Sequence, residues 1–375
     1  MIPVFKPSFG QEELDALRQP FESGWIGLGP KTAEFERRFA EFIGCKHAVA
    51  TNSCTAALHL ALRLCGVEGR EVLTTPMTFV STNHAILYNG GVPVFVDVER
   101  DTLNLQVQDL ERKVTNRTRA IVVVHYGGHA VDMDAVLKVA REHDLLVVED
   151  CAHGCGGSYK GRMLGSLGDY GCFSFHAVKN LATGDGGMIT TNDPDSDTRL
   201  RRLAWMGISR GTWDRSESGG YSWEYDVPEL GFKYHMNDIT AAIGLVQLAK
   251  LRSMNERRRE LAERYTARLA ETEWLETPVE HAYARSAWHN YVVKVRDASD
   301  RNPLMNHLAE RGVATGMHYI PNHLYDMYKP FVTEKLPVVE EVWRHIVTLP
   351  LFPDLTDQEQ DQVIDALLAY SPSLS

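Results

Sequence analysis

An alternation running through residues 47–191 constrains this chain more than any other feature. Short apolar runs, rich in Val and Ile, are separated by stretches whose apolar residues recur at helical spacing. His47–Thr51, Val72–Thr75, Val94–Val98, Ala120–His125 and Leu145–Glu149 read as strands. Their apolar character is nearly continuous and does not alternate with polar residues. That pattern suits a parallel sheet covered by helices on both faces. One helix is predicted to begin within Asn52–Thr55, with Ala57, Leu60, Ala61 and Leu64 on one face, and another spans Asp132–His143. Gly171–His176 and Met188–Thr191 add two short strands around a GDGG turn. This order of strand and helix predicts an α/β fold, with a mostly parallel central sheet in a large domain over residues 1–240.

From Asp238 a long helix is predicted through Leu251 towards Leu269, and its Arg257–Arg259 run reads as a solvated face. A strand at Trp288–Val295 and helices at Pro303–Arg311 and Asp357–Ala369 predict a smaller α+β domain over residues 241–375. The segment Met206–Val227, rich in Gly, Ser, Trp and Asp, reads as a surface excursion. Its aromatic residues Trp213, Tyr221, Trp223 and Tyr225 fit either a nucleotide contact or packing within the loop.

Composition narrows the function classes. With 50 Asp+Glu against 39 Lys+Arg, the net charge of −11 argues against a nucleic-acid partner, whose footprint should be basic. No run approaches the ~18 consecutive apolar residues that span a bilayer. The start, MIPVFKPSFGQEEL, lacks the apolar centre of a signal peptide, so a cytoplasmic protein is expected. The six cysteines, Cys45, Cys54, Cys65, Cys151, Cys155 and Cys172, include no CxxC pair. Cys151, His153 and Cys155 lie close in sequence, yet structural zinc takes four tightly spaced ligands. Buried reduced thiols and no metal are expected.

The chemistry concentrates in Val148–Gly187. Asp150 stands at the end of an apolar strand, the edge of an α/β sheet where ligands bind. Lys179 follows a later strand in a polar, Gly-bounded segment. Pyridoxal phosphate (PLP) needs a lysine for a Schiff base and a carboxylate that keeps its pyridine nitrogen protonated. Thr51–Ala56 offers a strand-to-helix turn of small residues, whose free N–H groups and helix dipole favour a phosphate. Each feature by itself also fits a plain structural role: a turn Asp, a solvated Lys, an N-cap.

Taken together, the runs EDCAHGCGGSYKGR, GSLGDYGCFSFHAVKN and TGDGGMITT resemble the DegT/DnrJ/EryC1/StrS family of sugar aminotransferases, which are fold type I PLP enzymes. GLGPKTAEFERRFAEFIGCKHAVATNSCTAALHLAL resembles the family's N-terminal segment, and TTPMTFVST its ring-stacking loop. LGFKYHMNDITAAIGLVQL resembles its interface motif, and AWHNYVV through ATGMHYIPNH its small domain. The resemblance covers essentially the whole chain, in order.

That resemblance implies roles for particular residues. Lys179 matches the lysine that forms the Schiff base and then shuttles a proton, and Asp150 the partner of the pyridine nitrogen. His153 falls where a Gln or His contacts the ring's phenolic oxygen, and Phe79 where an aromatic residue covers one ring face. Thr55, Ala56 and Ser174 match phosphate-binding positions, with His176 a further contact. Where many members read GYNYRM, this chain reads GFKYHM, so Lys233 replaces an Asn that reaches the neighbouring subunit's phosphate. Lys233, His235 and Asn237 all remain candidates for that contact. The presence of Lys179 separates the chain from family members that are 3-dehydratases, in which a histidine replaces the lysine.

The implied activity is transfer of an amino group, with L-glutamate the expected donor, to a keto group of a nucleotide-linked deoxy-sugar. C4 is favoured over C3, and the cofactor cycles between PLP and pyridoxamine phosphate (PMP) in a homodimer with sites at the interface. A cyclitol (inosose) aminotransferase and a non-catalytic regulator on the same fold are the alternatives. His318 and His323 fit either substrate contacts or packing, and His289 is expected to be structural.

Overall fold

The structure, a computed structural model, describes residues 1–209 and 225–372. Its first strands are β1 (His47–Thr51), β2 (Glu71–Thr74), β3 (Val92–Phe95), β4 (Thr118–Val124), β5 (Leu146–Asp150), β6 (Ser158–Tyr159), β7 (Arg162–Met163), β8 (Tyr170–Ser174) and β9 (Gly187–Thr191). All but β6 and β7 join one seven-stranded sheet in the order β1-β9-β8-β5-β4-β2-β3. The pairs β2–β3, β2–β4, β4–β5 and β5–β8 are parallel, and β9 runs antiparallel to both β8 and β1. The expected mostly parallel α/β sheet is therefore present.

Two apolar layers explain why these strands do not alternate in sequence. In β4, Ile121 and Val123 enter one layer while Ala120 and Val122 enter the other. The first layer is filled by Phe35 and Phe39 of the helix Pro30–Ile43 and by Val136 and Val139 of Met133–Glu142. The second is filled by Leu58 and Leu62 of the helix Cys54–Cys65 and by Leu200 and Leu203 of Pro194–Ala204. Each such side chain, fully buried, stabilises the fold by roughly 1.5–3 kcal/mol. With both faces sealed, only the strand ends can meet a ligand.

A second, antiparallel sheet follows, built from β10 (Leu275–Glu276), β12 (Tyr291–Val295) and β13 (Ile346–Leu349). The short β11 (Ala284–Arg285) instead joins β6 and β7. The 32-residue helix Asp238–Leu269 serves both cores. Its Ala241, Leu248 and Leu251 pack in the first layer of the large sheet, and its Leu261, Tyr265 and Leu269 pack on the small sheet. No described helix is long and apolar enough to cross a membrane.

Several expectations are corrected. The strand predicted from Trp288 starts at Tyr291, because residues 287–290 are drawn out of the sheet by Gly127 and Gly128. Ala287 N–H donates to Gly128 O (3.0 Å) and His289 N–H to Gly127 O (2.9 Å), while Trp288 takes φ +46°. A Cβ on Gly128, itself at φ +99°, would lie 2.8 Å from Trp288 N, so only glycine permits this approach. The Arg257–Arg259 run is not a solvated face. Arg258 is buried and donates to Leu351 O (2.8 Å), Arg257 reaches Asp357 (2.6 Å), and Arg259 pairs with Glu280. These arginines fasten the helix to C-terminal segments. Of the predicted loop 206–227, residues 210–224, with Trp213, Tyr221 and Trp223, lie outside the described residues; Tyr225 is exposed.

Candidate active site

Asp150 is the last residue of β5, so its carboxylate stands at the ligand edge of the sheet. It is buried, and both oxygens are held. Ala152 N–H donates to Oδ1 (3.0 Å) and the Thr82 hydroxyl to Oδ2 (2.7 Å). Burial pushes this carboxyl above its ordinary pKa, while those hydrogen bonds and the charge of Lys179 pull the other way.

Lys179 lies beyond β8 on a turn closed by its own N–H donating to His176 O (2.8 Å). Burial of its ammonium lowers its pKa to about 8, against the upward pull of Asp150. An uncharged amine is thus accessible close to neutral pH, the condition for a nucleophile or base.

His153 is buried, with both ring nitrogens engaged. Gly127 N–H donates to Nδ1 (3.3 Å), so that nitrogen carries the lone pair, and Nε2–H points to the Tyr319 hydroxyl (3.0 Å). Burial, then the charges of Lys179 and His318, hold His153 well below the usual imidazole range. Its ring stacks on His289 (4.4 Å), which stacks in turn on Phe5 (5.2 Å). Asn180, next to Lys179, donates through Nδ2 to Asn255 Oδ1 and Ala287 O, so its Oδ1 accepts from His289 Nδ1 (3.0 Å). His289 therefore backs the site wall. His318 bonds Thr348 Oγ1 (2.9 Å), and burial lowers its pKa to about 4. His323 is buried outside this stack, 3.5 Å from Glu340.

The turn after β1 is a cradle. Ser53 caps the helix Cys54–Cys65 by accepting from Ala56 N–H (3.1 Å), leaving the Cys54 and Thr55 amides at the open helix end. A Cβ on Gly187 of β9 would fall 2.5 Å from Ser53 C and O, so glycine alone lets β9 lie against this turn. Thr51 and Ser174 are both in register with Gly187, one on each side of it, so the end of β8 and the turn that leads to Thr55 and Ala56 share one edge of the sheet. His176 is exposed, and its carbonyl closes the Lys179 turn.

Phe79 precedes the helix Val80–Tyr88 and is 58% exposed, its ring 6.2 Å from that of Tyr319. The ammonium of Lys233 sits 3.4 Å from the Trp205 ring centroid. His235 packs edge-on against the same ring (4.3 Å) and lines a cavity of about 490 Å³ with Glu36 and Arg201. Asn237 is occupied as an N-cap, accepting from Thr240 N–H (2.9 Å).

The structure thus brings Asp150, Lys179, His153, Ser174, Thr55 and Ala56 to one edge of the sheet, with Phe79 beside it. Thr82, Tyr319, Asn180 and Phe5 escape sequence reasoning. Tyr319 lies inside a quoted run, but nothing in its spacing marks it. The Cys151–His153–Cys155 grouping does not form a ligand set. Among the described residues the one close trio is His125, Glu149 and Cys151. There Glu149 already accepts from His125 Nε2 and from the amides of Gly165, Leu167 and Gly168. A half-buried lysine, a buried carboxylate, a neutral imidazole and an amide-lined turn are a donor set that fits PLP.

Comparison with known proteins agrees with this geometry. Residues 7–368 match the DegT/DnrJ/EryC1/StrS aminotransferase family. The spore coat polysaccharide biosynthesis protein SpsC of Bacillus subtilis is 43% identical over 374 residues, covering 98% of this chain and 96% of that protein. The aminotransferase TlmJ of Streptoalloteichus hindustanus superposes with a TM-score of 0.92 at 39% identity, covering 98% of each chain. Spr1654 of Streptococcus pneumoniae, solved in a PMP form, gives a TM-score of 0.93 at 31% identity, again over 98% of each chain.

Proposed function

The chain belongs to the DegT/DnrJ/EryC1/StrS aminotransferase family, and on that premise we propose a PLP-dependent transfer of an amino group from L-glutamate to a nucleotide-linked deoxy-sugar. The acceptor is a ring ketone, C4 before C3. The observation that carries this reading is the placement of Lys179, on the turn after β8, within the charge of Asp150 at the end of β5. The PMP form of Spr1654 supports the cofactor, and the polysaccharide role of SpsC supports a sugar acceptor.

When bound, PLP supplies the electron sink that makes an amino acid's Cα–H acidic. The residues of this chain do the rest. Asp150, when ionised, would hold a proton on the pyridine nitrogen. Lys179 would hold the cofactor at rest and, as a free amine, would serve as the base that takes the donor's Cα proton. His153, neutral and fixed by Gly127 and Tyr319, would orient the ring by sharing the Nε2–H it now gives Tyr319, and Phe79 would exclude water from one ring face. The open amides at Cys54 and Thr55, with the hydroxyls of Thr55 and Ser174, would hold the phosphate beside Ala56.

We read the active form as a homodimer in which Lys233 meets the phosphate bound in the neighbouring subunit. Exposed Leu230 (78%), three residues before Lys233, supports an apolar contact on that stretch. We keep residues 1–240 and 241–375 as the two domains; the separate seven-stranded and β10–β12–β13 sheets support that division, although the helix from Asp238 serves both. Six unpaired cysteines favour a cytoplasmic location.

The test is a half-reaction. PLP-loaded protein given L-glutamate alone should release one equivalent of 2-oxoglutarate and convert to the PMP form. That form should then aminate a nucleotide-linked 4-keto-sugar faster than its 3-keto isomer or an inosose. Preference for the inosose would replace the sugar reading with the cyclitol one, and no 2-oxoglutarate would remove glutamate as donor.

A further inference from the structure

Behind Asp150 lies a file of buried polar side chains that the reaction as described does not use. The Thr82 hydroxyl donates to Asp150 Oδ2 (2.7 Å) and lies 2.8 Å from the Thr78 hydroxyl. A hydroxyl has one proton. With the Thr82 proton committed to the carboxylate, the Thr78 proton must point to Thr82 Oγ1. The Thr78 carbonyl accepts from Asn322 Nδ2 (2.8 Å), and Asn322 Oδ1 accepts from Asn83 Nδ2 (2.8 Å). Asn83 Oδ1 is fixed by the Thr74 hydroxyl (2.8 Å), and Asn322 N–H donates to Pro76 O (2.8 Å). Thr74, Thr78, Thr82, Asn83 and Asn322 are all buried.

The far end of this file is as informative as the near one. Asn322 sits three residues after Tyr319, which bonds His153. The segment 317–325 is therefore tied to the cofactor-facing groups at two points, through Tyr319 to His153 and through Asn322, Thr78 and Thr82 to Asp150.

We infer that Thr82 and Asn322 are positioning residues for Asp150. Thr82 fixes the carboxylate's rotation and keeps it ionised, and Asn322 couples its setting to the segment that carries His318 and Tyr319. The reasoning is geometric. Ala152 occupies one lone pair of Oδ1 and Thr82 one of Oδ2, which fixes the carboxylate at the end of β5 and leaves a lone pair on each oxygen for a ring N–H. From the Thr78 hydroxyl through Thr82 to Asp150 the hydrogen bonds run head to tail and reinforce one another in a low-dielectric interior, while Asn322 acts on this run by fixing the Thr78 backbone. The titratable groups around Asp150 are Lys179, His125, Cys54, Cys151, Cys172 and Tyr319. Of these only Lys179 and His125 favour its ionised form by charge, so the Thr82 bond matters to it.

The proposal rests on Asp150 as the ring acid, and the experiment separates the two claims. Asp150→Asn, Thr82→Val, Thr82→Ser, Asn322→Ala and the Thr82→Val/Asn322→Ala double variant are compared as PLP-loaded proteins of checked thermal stability. PLP dissociation constants and the pH dependence of kcat/KM are measured for each. Removing a hydrogen bond to the ionised form raises the carboxyl's pKa, so Thr82→Val should move the acid limb up by about 1 pH unit and lower kcat/KM about tenfold. PLP binding should weaken about tenfold as well. Thr82→Ser should recover both. Asn322→Ala should move the acid limb the same way by less, and the double variant should show less than the sum. A folded Thr82→Val enzyme with an unmoved acid limb and unchanged PLP affinity overturns the proposal, as does an additive double variant. If Asp150→Asn itself retains PLP binding and activity, the reading of Asp150 fails instead.

Discussion

His153 Nε2 lies 3.0 Å from the Tyr319 hydroxyl, and because Gly127 N–H occupies Nδ1, the imidazole is the donor of that pair. One residue follows the strand that ends in Asp150 and the other belongs to a segment 166 positions later, so the bond joins the two halves of the chain at the site. Tyr319→Phe removes the acceptor and leaves a buried N–H unpaired. It should cost about 1–3 kcal/mol of stability, read by denaturant unfolding. His153→Gln should keep more activity than His153→Ala, because its amide can still donate. Equal losses in the two variants would mean that His153 acts by bulk alone.

The turn proposed to cradle the phosphate depends on the absence of one carbon. Gly187→Ala places a methyl 2.5 Å from the Ser53 backbone, against main chain that has no rotamer to yield. Overpacking of this kind costs about 1–3 kcal/mol, and the displaced turn should weaken PLP binding more than it lowers stability. Dissociation constants and melting curves on the same variant check the pair; a lost melting temperature with intact PLP affinity would place the turn elsewhere.

Burial lowers Lys179 to about 8, so the rate at which apo-protein captures PLP should rise with pH through about 8 and level off above it. Asp150 holds that ammonium up, and Asp150→Asn should therefore move the midpoint below 8. Stopped-flow capture from pH 6 to 10 decides it. A midpoint near 10.5, the ordinary lysine value, would contradict the buried setting.

Glu149, one residue before Asp150, is a structural carboxylate. Burial opposes its ionisation, but the His125 bond and the backbone amides outweigh it and depress its pKa below 4.5. A depressed folded pKa gives stability that is present above the unfolded value and is lost as pH falls through the folded one. Stability should thus decline in acid below about pH 4.5. Glu149→Gln, which turns an NH₂ towards amide donors, should cost about 3–5 kcal/mol at pH 7 and flatten that decline. An unchanged acid profile in the variant would assign the loss to other carboxylates.

How far the sequence alone reached follows from what each residue's role depends on. Asp150 and Lys179 are legible because each closes or follows an apolar strand, and strand ends are where a sheet with two covered faces can bind. The helix Asp238–Leu269 is legible because its apolar spacing persists beyond the large sheet. Arg258 is not, since a buried arginine donating to Leu351 O has the same local pattern as a solvated one. Trp288 is misread as strand because its φ of +46° is imposed by two glycines about 160 residues earlier. Thr82 and Asn322 are invisible for a like reason: they acquire meaning only when the helix Val80–Tyr88 and the segment around Asn322 meet behind β5.

The most direct test of the central claim is chemical trapping. The purified protein is loaded with PLP, reduced with borohydride, digested and analysed by peptide mass spectrometry. The account predicts a pyridoxyl group on Lys179 alone, and no label when L-glutamate is added before reduction. Label on another lysine, or none on Lys179 of a folded protein, would contradict it.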